Sequence, residues 1–141
     1  MRTLIILLVF GLTYQGFAQT GKVFRGTLNA TKITLYLEGL DEGTNADPIV
    51  GAYKYENRKG YLLLNGYRNA DGNIILVEQD TPNFSGIFFG SLSDNQISGK
   101  WTSANQKFSY PFKIRALNTK DSELHQFKAA IAAKAQQFIA Y

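Results

Sequence analysis

Residues 61–79 read YLLLNGYRNADGNIILVEQ, and this stretch decides the predicted fold. Two runs rich in leucine, isoleucine and tyrosine flank residues 69–72, whose side chains suit a tight turn because they tolerate positive φ or bond their own backbone. A joint this short predicts that the two runs are neighbouring antiparallel strands. Residues 61–64 are apolar on both faces, which indicates that part of the sheet is covered from outside.

The same rhythm continues along most of the chain. Runs of β-branched and aromatic residues are separated by glycine, asparagine, aspartate or proline, which is typical of successive strands. Alternation assigns faces within a run: Ile33, Leu35 and Leu37 share one face of their strand. The predicted strands occupy residues 22–29, 32–39, 48–56, 61–68, 73–79, 84–91, 96–102 and 107–116.

Eight strands in meander order must hide two sheet edges. Closure into an up-and-down barrel removes both edges, and a two-sheet β-sandwich is the alternative. Glycines at positions 26, 51, 66, 86, 90 and 99 lie inside the strands, where they permit the sharp coiling of a small barrel. We therefore predict an all-β fold, an eight-stranded antiparallel barrel over residues 19–118, with an interior just wide enough for side chains or one small ligand.

The apolar period changes from two to 3.6 residues after Asp121, which predicts a C-terminal amphipathic helix. Its apolar face would carry Leu124, Phe127, Ile131, Ala135 and Phe138. We expect the segment 119–141 to pack on the barrel. A membrane-surface helix is the alternative, but its lysines are few for that role.

Residues 1–18 have the features of a signal peptide: Arg2, an apolar run over residues 4–12, and small residues at the usual cleavage positions in Gly16-Phe17-Ala18. The run is too short to span a bilayer, although an uncleaved anchor is the alternative reading. We therefore expect an exported protein, periplasmic or secreted, with no transmembrane segment after signal removal.

The residue inventory limits the chemistry. The chain has no cysteine and one histidine, so a disulfide scaffold is excluded and the usual zinc sites and Cys-His or Ser-His relays cannot be assembled well. Its formal net charge is +4, and the basic residues are scattered, which argues against nucleic acid as a partner. We predict no cofactor, no metal site and no catalytic residues; whether the protein is an enzyme stays uncertain, with a non-enzyme favoured.

Three strand segments resemble the Gly-x-Tyr and Gly-x-Trp signatures of the avidin-like and lipocalin-like (calycin-type) barrels. The segments are Gly51-Ala52-Tyr53-Lys54-Tyr55, Phe84-Ser85-Gly86-Ile87-Phe88 and Ile97-Ser98-Gly99-Lys100-Trp101. The resemblance covers about residues 22–116 and implies an eight-stranded meander barrel. It implies the architecture only, and no binding residue is carried over from it.

Aromatic side chains are the main indication of a binding site. They either fill the core or line a cavity, and tyrosines with polar tips suit a ligand that has an apolar body and a few polar groups. The predicted ligand-binding residues are Tyr53, Tyr55, Glu78, Phe88 and Trp101. The direction of Glu78 is left open, because the two faces of its strand are about equally apolar.

Three functions are compatible with these features. The first is an exported, non-enzymatic binding protein that holds a small apolar or amphipathic ligand in the barrel. The second is a periplasmic inhibitor or immunity-type protein that blocks a partner enzyme through the acidic connection of Glu38, Asp41, Glu42 and Asp47. The third is a carboxylate-dependent hydrolase that uses Glu78 with Glu56 or Asp80.

Overall fold

The computed structural model describes residues 21–40, 47–80 and 83–139, and these form eight strands and one helix. The strands are β1 (Lys22–Leu28), β2 (Thr31–Glu38), β3 (Asp47–Tyr55), β4 (Leu62–Arg68), β5 (Asn73–Asp80), β6 (Asn83–Ser93), β7 (Gln96–Ser103) and β8 (Ser109–Leu117). The helix is α1 (Asp121–Ile139). The predicted signal peptide, residues 1–18, lies outside the described residues.

The strands form a closed barrel in chain order, and every neighbouring pair is antiparallel. Closure is made by β1 and β8, whose register runs from Val23 opposite Leu117 to Leu28 opposite Phe112. The predicted eight-stranded up-and-down barrel with a C-terminal helix is therefore confirmed, and the sandwich alternative is wrong. Because the barrel closes, neither terminal strand leaves an unpaired edge.

The barrel interior is filled by side chains. The predicted inward face of β2, with Ile33, Leu35 and Leu37, is fully buried and belongs to one continuous core cluster. Large members from other strands include Phe24 and Phe88. A barrel of this size has little room beyond its own side chains, so the centre is a packed core and any open space lies toward its ends.

Helix α1 lies against the outer wall. Val23, Tyr36 and Ala52 form one cross-strand row on the outside of β1, β2 and β3, and Phe127 of α1 is fully buried against it. The Phe127 ring stacks on Tyr36 with centroids 5.7 Å apart and meets Tyr61 edge-on at 5.2 Å. This contact explains why the run beginning at Tyr61 is apolar on both faces.

An ion pair holds the start of the helix. One terminal nitrogen of Arg25 on β1 donates to both carboxylate oxygens of Glu123, at 2.7 and 2.6 Å. Both groups are partly exposed, so the pair orients the helix more than it stabilises the fold. The described part of the chain contains no helix with the length and apolarity that crossing a bilayer requires.

Candidate functional site

A pocket of about 250 Å³ opens at one end of the barrel. This end, called the mouth below, carries the connections from β1 to β2, from β3 to β4 and from β7 to β8. The pocket is lined by Leu28, Asn29, Thr31, Tyr55, Asn57, Arg58, Trp101 and Tyr110. It therefore has aromatic walls that rise from the packed core and a polar rim contributed by the connections.

The aromatic wall is a pair of parallel rings. Trp101 on β7 and Tyr110 on β8 are direct cross-strand partners, and their rings lie 7° from parallel with centroids 6.0 Å apart. Phe108, just before β8, continues the row, 6.4 Å from Tyr110 and 13° from parallel. Trp101 and Tyr110 both line the pocket, so a ligand there would meet apolar aromatic surface.

The wall is fixed from below by a buried carboxylate. Glu78 points into the barrel and is 4 % exposed. It accepts hydrogen bonds from Trp101 Nε1 at 3.0 Å, from Ser85 Oγ at 2.5 Å and from the Tyr53 hydroxyl. All three donors are neutral, so among the described residues the carboxylate is satisfied by hydrogen bonds and not by an ion pair.

Two local features of β6 make this network feasible. The pairing of β5 with β6 shifts register so that Ser85 has no opposite partner, which is a β-bulge that turns its hydroxyl toward Glu78. The next residue, Gly86, lies against the indole of Trp101, and a Cβ there would overlap the ring. The glycine is therefore required for the close approach of Trp101 to Glu78.

The pKa values of two buried tyrosines, Tyr53 and Tyr36, are raised in the folded protein. Burial, reinforced by the charge of Glu78 and its hydrogen bond, raises the pKa of Tyr53 far above its ordinary value. On the outer wall, burial under Phe127 and the hydrogen bond to Glu38 raise the pKa of Tyr36. Both side chains thus stay neutral in the folded protein when an exposed tyrosine ionises.

Stability is expected to fall in alkali for this reason. Below pH about 10 the contribution of both tyrosines is fully present; above it the unfolded chain loses protons that the folded chain keeps, so the free energy of unfolding decreases as pH rises. Urea unfolding followed across this pH range measures the decrease. Tyr53→Phe should make the decrease shallower, whereas Tyr67→Phe, which alters an exposed ring, should leave it unchanged. Native protein in which all tyrosines titrate together near pH 10 would contradict the expectation.

The rim of the pocket is polar and carries one cation. Arg58, in the connection from β3 to β4, lies with its guanidinium carbon 5.3 Å from the centre of the Tyr55 ring. Asn57 stands beside it, and Asn29, at a positive φ of 55°, stands across the opening. A ligand in the pocket would thus meet aromatic rings on its inner side and hydrogen-bonding groups at the entrance.

The structure places two of the five predicted ligand-binding residues on the pocket lining and the other three beneath it or in the core. Tyr55 and Trp101 line the pocket. Tyr53 and Phe88 belong to the packed core, where their rings meet edge-on at 5.4 Å. Glu78 lies beneath the pocket and holds Trp101. The hydroxyls of Tyr53 and Tyr55 are 3.4 Å apart, which links the buried network to the pocket wall.

The acidic connection lies at the other end of the barrel, because it joins β2 to β3. Glu38 accepts a hydrogen bond of 2.6 Å from the Tyr36 hydroxyl. Asp41 and Glu42 lie outside the described residues, and nothing is described for the side chain of Asp47. The inhibitor hypothesis thus gains no structural support, and it stays a prediction.

The structure does not support a catalytic pair made of Glu78 with Glu56 or Asp80. Glu56 and Asp80 are exposed, whereas Glu78 is buried behind Trp101 with its oxygens engaged by donors. Within residues 21–40, 47–80 and 83–139, no three histidine, cysteine, aspartate or glutamate side chains cluster in a way that would hold a metal ion.

Comparisons with known proteins leave the site to be interpreted from its own geometry. The chain has no significant match to a protein-family model, to a curated protein or to a solved structure. What the chain shares with calycin-type barrels is the observed architecture, a closed eight-stranded meander.

Sequence reasoning missed most of the pocket. Tyr110 is on the inward face of β8, but alternation alone cannot distinguish a residue at the mouth from one in the core. The rim residues Asn57 and Arg58 read as ordinary turn residues. Ser85 was missed because the bulge that turns it inward has no clear sequence signal.

Proposed function

We propose that the protein is a non-enzymatic binding protein that holds a small amphipathic ligand at the mouth of the barrel. The observation that carries the proposal is the half-buried ring pair of Trp101 and Tyr110, which lines a pocket of about 250 Å³. Pockets for drug-sized ligands start at roughly 300 Å³, so this one suits a compact ligand of a few rings.

The buried network supports binding because it organises the site in advance. The hydrogen bond from Trp101 to Glu78 and the contact with Gly86 restrain the indole before any ligand arrives. A wall whose rotamers are already fixed loses less conformational entropy when it binds. The apolar part of the ligand would lie on the rings, and its polar part would face Arg58 and Asn57 at the rim.

Anilinonaphthalene sulfonate is a suitable probe, since it joins aromatic rings to an anionic group. Trp101 is the single tryptophan of the chain, so saturable dye binding should change its emission. Tyr110→Ala should weaken binding about tenfold, because one of the three aromatic rings that line the pocket is lost. Arg58→Ala should weaken it by a smaller factor and make the affinity less sensitive to salt.

The matched control is Phe89→Ser, which removes an exposed aromatic ring from the outer wall, 62 % exposed, and leaves the pocket intact. This variant should bind the dye as the unaltered protein does. Dye binding that is lost in Phe89→Ser and kept in Tyr110→Ala would place the dye outside the pocket and refute the proposal. Native mass spectrometry of the purified protein would reveal any ligand retained from the cell.

A further inference from the structure

The outer wall of the barrel carries a second apolar surface, and no described residue covers it. Tyr67, Ile75 and Phe89 are direct cross-strand partners on β4, β5 and β6, with exposures of 55 %, 39 % and 62 %. Cross-strand partners lie about 5 Å apart, so the three side chains form one continuous outer stripe. Val77 and Ile87, paired in the adjacent row, extend it.

The charged side chains beside the outer stripe are basic on its β7 side. Lys100 on β7 pairs directly with Phe89, and Lys113 on β8 lies opposite Ser98, two residues along β7 from Lys100; both lysines are exposed. The strands β4 to β7 contain two carboxylates, Glu78, which points inward, and Asp80, at the mouth end of β5. Asp71 and Asp94 are exposed in the connections from β4 to β5 and from β6 to β7, at the end of the barrel opposite the mouth. The stripe is therefore an apolar surface with a basic border on its β7 side.

The shape of this surface limits what can cover it. Eight strands complete the barrel, so three strands span roughly a quarter turn and the outer stripe is convex. A stable dimer buries about 800 Å² on each partner, whereas three part-exposed side chains on a convex wall supply much less. Two copies would also bring their lysine borders together. A fluid surface, by contrast, can conform to a convex shape.

We propose that the outer stripe docks on the surface of an anionic phospholipid membrane. Aromatic side chains favour the boundary between acyl chains and headgroups, and lysine is attracted to anionic headgroups. Phe89 and Tyr67 would enter this boundary while Lys100 and Lys113 contact the headgroups. The wall covered by α1 then faces away from the lipid, and the inference stands independently of the pocket at the mouth.

Co-sedimentation with vesicles tests the proposal. Vesicles of phosphatidylglycerol and phosphatidylcholine in equal parts should bind the protein, vesicles of phosphatidylcholine alone should bind it much less, and added salt should weaken the binding. Phe89→Ser should reduce the partition coefficient about tenfold and Lys100→Ala about fivefold. All variants carry the same N-terminus, verified by mass, so differences between them report on the barrel.

Two matched controls locate the contact. Phe108→Ser removes a ring of similar exposure at the mouth, and Lys32→Ala removes an exposed lysine from β2, on the far side of the barrel. Both should bind vesicles as the unaltered protein does. The proposal is overturned by absence of binding, by undiminished binding of folded Phe89→Ser, or by loss in Phe108→Ser instead. If the protein forms a dimer that the Phe89→Ser substitution dissociates, the outer stripe contacts a second copy of the chain and the membrane proposal is overturned.

Discussion

Phe127→Ala is expected to lower the free energy of unfolding by about 3–5 kcal/mol, the range for removing a fully buried phenylalanine ring. Phe127 has no exposed surface and contacts Tyr36 and Tyr61, and Lys54 Nζ lies 5.7 Å from its ring centre. Its loss would leave a cavity between helix and wall. Urea unfolding measures the change, and far-UV circular dichroism shows whether the helix persists.

Phe108→Ala is the matched control, because it removes the same ring from a position that is 54 % exposed. It should change the free energy of unfolding by less than about 1 kcal/mol. Similar losses in the two variants would indicate that α1 does not dock as described. A Phe127→Ala protein with unchanged stability would lead to the same conclusion.

Glu78→Ala is expected to cost about 3–5 kcal/mol in free energy of unfolding, because it removes the acceptor of one buried and two partly buried donors and opens a cavity. The donors are on Tyr53, Ser85 and Trp101. Glu78→Gln keeps an oxygen acceptor at nearly the same volume, so its cost should be about 1–2 kcal/mol. Urea unfolding followed by circular dichroism separates the two variants.

The same variants connect the network to the pocket. If Glu78 restrains Trp101, Glu78→Ala should also weaken dye binding under conditions in which the variant is folded. The control for stability is Glu56→Ala, at an exposed position near the rim, which should not change the free energy of unfolding. A Glu78→Ala protein with the original stability and the original dye affinity would show that the carboxylate does not support the site. Normal dye affinity at reduced stability would restrict its role to the core.

The fold was predictable because its two signals are local. Alternation along each strand and turn residues between strands specify a meander, and a short joint leaves each strand little choice of partner. The shift of apolar period after Asp121 specifies the helix in the same way, and α1 begins at that residue. The need to remove two edges favoured closure, with a two-sheet sandwich as the alternative.

The candidate site was predictable only in part. Glu78 stood out as a carboxylate in an apolar strand and Trp101 as the aromatic residue of a Gly-x-Trp segment, and in the structure Trp101 Nε1 lies 3.0 Å from a carboxylate oxygen of Glu78. The direction of Glu78 was undecided because both faces of β5 are apolar. The outer face is apolar since Ile75 belongs to the outer stripe, so the alternation that usually separates inside from outside is absent there.

By itself, the sequence determined the order of the strands and the helix, because these depend on side-chain periodicity and on turns of a few residues. Only the tertiary structure decided between barrel and sandwich, that Glu78 points inward, that Ser85 turns toward it at a bulge, and that an aromatic-lined pocket lies at the mouth. The physical reason is that these features depend on register and on packing between strands distant in sequence, and local pattern carries no information about either.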